Sequence, residues 1–266
     1  IEGLIQAVID CRGKPVVMEA TCGGRFPTTK FAEKLGIIKI CRKYDVEFVD
    51  LNNDEEISKQ VPEPAIFDRL TLSRRPLECD RLISIPVLKT HFNAGVSLGM
   101  KNYVGLLGRR AYAGNRGYTR GRFHNFARIS LQHKKRVNQR KDLSSRHSKR
   151  FPSESLNLAT VDLVAARPPD AVVISAVYGL ESEGPVPGSP VDIKQRTGQY
   201  MVVAGYDPVA VDRIGADLMG ASDDIARVLP LAAARGLGEM DREKIEIVGA
   251  SFDELRCKFR MAFFID

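Results

Sequence analysis

Lys89, Thr90 and His91 stand together at the end of an apolar run, SIPVLKTH, and Lys101 and Asn102 follow ten residues later in GMKNY. Lys89 brings a positive charge, Thr90 a hydroxyl, and His91 an imidazole of the kind that exchanges protons near neutrality. Gly95 lies between the two groups; if a helix opens there, its amino end offers backbone amides to an anion. A phosphate or carboxylate is the ligand these groups suit. His91, Lys89 and Lys101 are therefore the expected catalytic residues, with Thr90, Gly95, Asn102 and Gly184 as expected ligand contacts. Plainer readings stand beside these: a solvated lysine at a strand end, a structural histidine, a lysine paired with an acid.

The second chemical group is acidic. GLESEGPVPGSP holds Glu181 and Glu183 among Gly and Pro turns, and Asp207 and Asp212 follow in YDPVAVD. Clustered carboxylate oxygens hold hard divalent cations, so Glu181 and Glu183, supplemented by Asp207 and Asp212, form the expected metal set. An exposed acidic loop, a helix cap at Asp207 and an ion pair at Asp212 are the alternatives. The glycine loop TCGGRFPTT fits neither GxGxxG nor GxxxxGK[ST], so a nucleotide loop of either kind is not expected. There is no HExxH zinc helix and no GxSxG elbow.

These residues need a scaffold, and the chain alternates short apolar runs with helical patterns. PVVME (15–19), VEFVD (46–50), RLISIP (81–86), AVVISAV (171–177), YMVVAG (200–205) and IEIVG (245–249) read as strands. Helices are expected over 1–10, 28–35, 37–44, 154–166, 207–219 and 223–235, the Asp207-Pro208 pair being a strong start signal. The expected fold is α/β: a Rossmann-like, mainly parallel sheet with helices on both faces, one domain over 1–266. Ligands of such sheets bind outside the carboxyl ends of the strands. If the strands are parallel, the loops after PVVME, LISIP, AVVISAV and YMVVAG share one rim.

The formal charge is +7, and it is unevenly placed. Residues 109–150 hold fourteen Lys or Arg against one acid, Asp142, a net +13, so the rest of the chain is acidic. That segment reads as a basic insertion with one helix over 128–139. It is an alternative functional surface, binding nucleic acid or an acidic partner through phosphate contacts, with Tyr112, Tyr118, Phe123 and Phe126 as stacking groups. A solvated loop, or a lid over an anionic ligand, are its other readings. The five cysteines are widely spaced without a CxxC pair, which excludes a zinc ribbon and a disulfide framework. No run approaches a membrane span and no signal sequence opens the chain, so no membrane partner and a cytoplasmic location are expected.

The run IPVLKTHFNAGVSLGMKNYVGLLG resembles the signature of the domain of unknown function 362 family: a strand ending Pro-x-Leu-Lys-Thr-His, a Gly-containing turn, then a Leu-x-x-Lys-Asn helix. VDL (161–163), GLESEGPVPGSP, VVAGYDPVAVDRIGADLMG and AAARGLG follow in the same order, so the resemblance spans nearly the whole chain. It implies a Rossmann-like domain in which Lys89, Thr90, His91, Lys101, Asn102, Glu181, Glu183, Asp207 and Asp212 are motif positions. It implies no particular reaction. Members usually begin with a strand ahead of the helix at 1–10, so the resemblance implies that this chain lacks its first strand. Some members carry a ferredoxin-type cysteine cluster; these cysteines do not match it, and no iron–sulfur cluster ligated by this chain is expected.

Overall fold

The computed structural model describes residues 1–21, 27–112, 123, 126–127, 130, 152–185 and 187–262. In chain order the elements are α1 (Glu2–Asp10), β1 (Val16–Glu19), α2 (Thr28–Lys34), α3 (Ile37–Lys43), β2 (Glu47–Asp50), β3 (Glu56–Gln60), β4 (Arg69–Ser73), α4 (Arg75–Glu78), β5 (Ile83–Ser84), β6 (Val87–His91), β7 (Gly95–Val96) and α5 (Gly99–Asn102). After a 3-10 turn (Tyr103–Leu106) come α6 (Arg109–Tyr112), α7 (Glu154–Ala166), β8 (Ala171–Glu181), β9 (Ser189–Asp192), α8 (Ile193–Thr197), β10 (Met201–Gly205), α9 (Pro208–Met219) and α10 (Val228–Ala233). The helix expected over 128–139 lies outside the described residues. The protein is a mixed α/β fold, and its residues group into two compact units.

The first unit comprises 1–60, 69–80 and the described part of 104–126. β1 and β2 pair in parallel from Val16↔Glu47 to Glu19↔Asp50. Parallel neighbours need a crossover, which α2 and α3 supply. Ala32, Ile37 and Cys41 of those helices pack with Val17, Val46 and Phe48. An antiparallel hairpin, β3 with β4, buries Leu70 and Leu72 completely. Tyr112 joins this core: its hydroxyl accepts the Thr71 amide at 3.2 Å, and its ring meets Phe123 edge-on at 5.5 Å. Tyr112 and Phe123 are therefore core residues, which corrects the expectation that they stack on nucleic-acid bases. Phe126, 40% exposed, remains available.

The second unit holds the central sheet, with strand order β10-β8-β6-β7, β5 and β9 also pairing with β8. β5 and β6 run parallel to β8, whereas β9 and β10 run antiparallel to it. α7 is buried almost all round, including its polar Asn157, Thr160 and Asp162. α9 is fixed at both ends: Asp207 accepts the Val209 and Ala210 amides, Pro208 fills the first position, and Gly220 ends it at φ 75°. One sheet face is open at Val87 (40% exposed) and Val202 (64%), which both pair with Ser175, so β10 lacks the two-sided helical cover expected of it.

Four local expectations are corrected. VLKTH, expected as the loop after LISIP, is strand β6, pairing with β8 through Val87 and Lys89. β8 continues through Tyr178 to Glu181, placing Glu181 on a strand. IEIVG forms no strand and is largely exposed. The helix expected over 223–235 is confined to Val228–Ala233.

Candidate functional site

All eleven predicted site residues belong to the second unit. β6 carries Lys89, Thr90 and His91, and β7 turns back on it with His91 opposite Gly95. His91 is buried, and its Nδ1 accepts the amides of Asn93 (3.0 Å) and Ala94 (3.2 Å). Two N–H groups aimed at Nδ1 require a lone pair there, which puts the proton of the neutral ring on Nε2. Phe92 stacks on the imidazole at 5.1 Å. The ring is thus fixed in place and in tautomer, as an Nε2–H donor and not as a base at that nitrogen.

Thr90 is fully buried; its hydroxyl donates to the Ser182 carbonyl at 2.6 Å, closing β6 onto the turn after β8. Gly184 is needed in that turn because a Cβ would lie 2.4 Å from the Thr90 carbonyl oxygen. Its own carbonyl accepts the Phe92 amide at 2.9 Å. Thr90 and Gly184 build the wall of the β6 end, and their polar groups are spent on the fold.

Gly95 does not open a helix. It sits in β7 at φ 84°, and a Cβ would fall 1.9 Å from the Ile225 carbonyl oxygen. Helix α5 starts at Gly99 instead, and the anion expected at its amino end is Asp212: Oδ1 accepts the Gly99 amide at 2.7 Å, and Oδ2 the Met100 amide at 2.9 Å. No room remains there for a ligand, since a Cβ on Gly99 would meet Asp212 at 2.7 Å. Burial pushes the Asp212 carboxyl up to about 7, against the opposing pull of the Met100 and Gly99 amides. The effect is to set the turn bearing Lys101, which is buried, and Asn102, whose amide donates to Ser84 Oγ at 3.2 Å.

The four carboxylates of the expected metal set are not gathered. β10 runs against β8, with Gly205 opposite Val172, so the loop after β10 leaves at the opposite end of the sheet from Glu181. Asp207 caps α9 there and also accepts the Glu239 amide at 2.8 Å. Glu181 is 3% exposed and is claimed by two arginines. Arg196 reaches both carboxylate oxygens at 3.0 Å, and the Arg260 backbone N–H and Nε donate at 3.0 and 2.9 Å. Burial alone would raise this carboxyl, but the Arg196 fork and the Arg260 donors prevail and hold it at about 2. Glu183 is exposed. Among the described residues no group of three or more His, Cys, Asp or Glu is placed to share a cation.

Two clefts are formed largely by other residues. A cleft of about 520 Å³ runs between β10 and residues 239–255, and one of about 550 Å³ surrounds Arg213 and Arg256; of the predicted residues only Asp207 lines either. Sequence reasoning missed Arg196, Arg260 and Asp162. Asp162, wholly buried on α7, accepts the consecutive amides of Ala65, Ile66 and Phe67 at 2.7–2.8 Å and the Arg235 guanidinium at 2.7 Å. The VDL triplet contained it, but nothing nearby in the chain marks its partners.

Fold and site together define a mixed α/β protein with a basic, hydrogen-bonded strand end and no gathered carboxylates among its described residues. The family model described as Domain of unknown function (DUF362) matches residues 1–217, and the chain belongs to that family. No curated protein matches it. Among the described residues no helix is long and apolar enough to cross a membrane.

Proposed function

We propose that the protein binds, or acts on, a small metabolite bearing a phosphate or carboxylate at the carboxyl end of β6, with Lys89 and His91 as its cationic and proton-donating groups. One observation carries the reading. His91 Nδ1 is occupied by two backbone amides, so in the neutral ring the proton lies on Nε2. A donor of that kind suits an anion or a developing oxyanion. Lys89 stands two residues away on the same strand, whereas the turn bearing the buried Lys101 packs on Val172 and Ser84 at the other end of β8 and is left out of this reading. The finer description of the fold as Rossmann-like belongs to this proposal, resting on the parallel β5, β6 and β8.

The test is calorimetric titration of phosphate and small carboxylates into wild type, Lys89→Ala and His91→Gln. A ligand at about a hundred times its dissociation constant stabilises the fold by about 2.7 kcal/mol. Both variants should lose that stabilisation while unfolding as cooperatively as wild type. Binding undiminished in both would overturn the reading. The basic segment is a separate proposal for nucleic acid, supported by its net +13.

A further inference from the structure

β10 (Met201–Gly205) ends its sheet. It pairs with β8 on one side, and its other backbone edge has no strand partner among the described residues. Edges of this kind are usually blunted by a lysine, a proline, a bulge or a covering element. MVVAG carries neither charge nor proline. Across the cleft of about 520 Å³ from that edge lie residues 245–250. Their IEIVG run has the β-branched composition of a strand, yet among the described residues Glu246–Ala250 make no backbone hydrogen bond. One cleft is thus lined by two unpaired stretches of backbone.

Its remaining surface is apolar. Ala210, Val211, Ile214 and Leu218 of α9 line it, and so do Tyr206 and Val248, each 87% exposed. A small apolar ligand would cover these side chains and leave both rows of N–H and C=O groups in water. An extended peptide serves both at once, its backbone pairing at the edge while alternate side chains rest on α9. A second copy of the sheet is a poorer fit, because residues 245–250 stand where its further strands would lie. Charge narrows the choice of peptide. Asp207, Glu239 and Glu246 line the cleft against a single ammonium, Lys244, which is turned to Asp241 at 3.2 Å. Asp207 accepts the Glu239 amide at 2.8 Å, so two of these carboxylates meet just beyond the carboxyl end of β10.

We propose that this cleft binds an extended peptide segment of a partner protein, apolar at alternate positions and carrying a lysine or arginine, which adds to β10 as a new strand and draws residues 245–249 into the sheet beside it. The free edge is five residues long, so it reads about 17 Å of partner chain. The inference does not depend on the anion site at β6.

The test is fluorescence anisotropy with three labelled, end-capped hexapeptides: Lys-Val-Thr-Val-Thr-Val, the same peptide with Glu for Lys, and the lysine peptide N-methylated at both threonines. N-methylation removes donors from one hydrogen-bonding edge. The lysine peptide should bind about tenfold or more tighter than either of the others. Glu246→Lys, a change at an exposed side chain, should erase the preference for lysine over glutamate, and Lys89→Ala should leave all three affinities unchanged. Hydrogen exchange with the lysine peptide bound should slow amides of β10 and of residues 246–248 together. Equal binding of the N-methylated peptide, protection that spares both walls of the cleft, or no binding of any of the three would overturn the proposal. Wild type that sediments as a dimer with both edges of β10 already protected would put a second copy there and overturn it as well.

Discussion

Replacing Glu181 by Gln removes a charge on which the end of β8 depends. The carboxyl is held at about 2, well under its ordinary 4.5. The folded state therefore prefers the ionised form, and the group's contribution is fully present above about pH 4.5 and lost as pH falls through 2. The difference corresponds to about 3 kcal/mol, of the same order as breaking a buried ion pair from one side. The carboxylate is nearly enclosed, at 4% exposure, but Arg196 and Arg260 are 36% and 69% exposed, so solvent screening takes part of this. Urea unfolding followed by circular dichroism should find Glu181→Gln less stable by about 2–4 kcal/mol at neutral pH. The gap should close as the pH is lowered and the wild-type carboxyl takes up its proton. A variant within about 0.5 kcal/mol of wild type at neutral pH, with a parallel pH profile, would refute the assignment of a structural charge to Glu181.

Asp212 should act with the opposite sign. Its folded value is raised to about 7, so its contribution is complete below its ordinary 3.8 and is lost as pH rises through 7. Urea midpoints at about pH 5 and about pH 8 should fall in wild type, and Asp212→Asn should flatten that decline. Asp162→Ala should cost about 3–5 kcal/mol, because it strands three backbone amides, that of Ile66 buried, and the Arg235 guanidinium; equilibrium unfolding checks this. If residues 109–150 bind polynucleotide, affinity should fall steeply with salt, as fluorescence anisotropy would record. Phe126→Ala should weaken such binding without loss of stability, whereas Phe123→Ala should cost about 3–5 kcal/mol of stability through the cavity it leaves.

Much of the scaffold was legible because local pattern dictates it. Glu154–Ala166 matched its expected bounds, and Asp207-Pro208 marked the start of Pro208–Met219 through cap chemistry that operates within a single turn. Strand direction was not legible. An apolar run such as YMVVAG carries no record of which way its neighbour points, and reversing β10 moved Asp207 to the far end of the sheet. Whether VLKTH ends the strand or forms the loop after it was left open, because burial of Thr90 depends on the Ser182 carbonyl, 92 residues away. β3 and β4 went unseen because only their pairing buries Leu70 and Leu72, while EISKQ taken alone reads as polar. In the site, the types at Lys89, Thr90 and His91 were plain, but their roles were set by partners. Asp212 supplies the anion for α5 from 112–113 residues away, and Glu181 is claimed by Arg260 at a separation of 79. Side chains that neutralise one another at such distances leave no periodicity to read.

The Glu181 clamp also bears on the order in which the chain is made. Synthesis releases residues from the amino end, so β8 and α8 are available before residue 260 exists. Until then Arg196 is the only one of the two arginines present, and the Ser182 amide has no Arg260 carbonyl to meet. The same holds for the carbonyls of Leu218 and Met219, whose partners are the amides of Cys257 and Phe259. A nascent chain paused shortly before residue 257 therefore carries an unfinished sheet end and an unfinished helix end, and completion of both awaits residues 257–260.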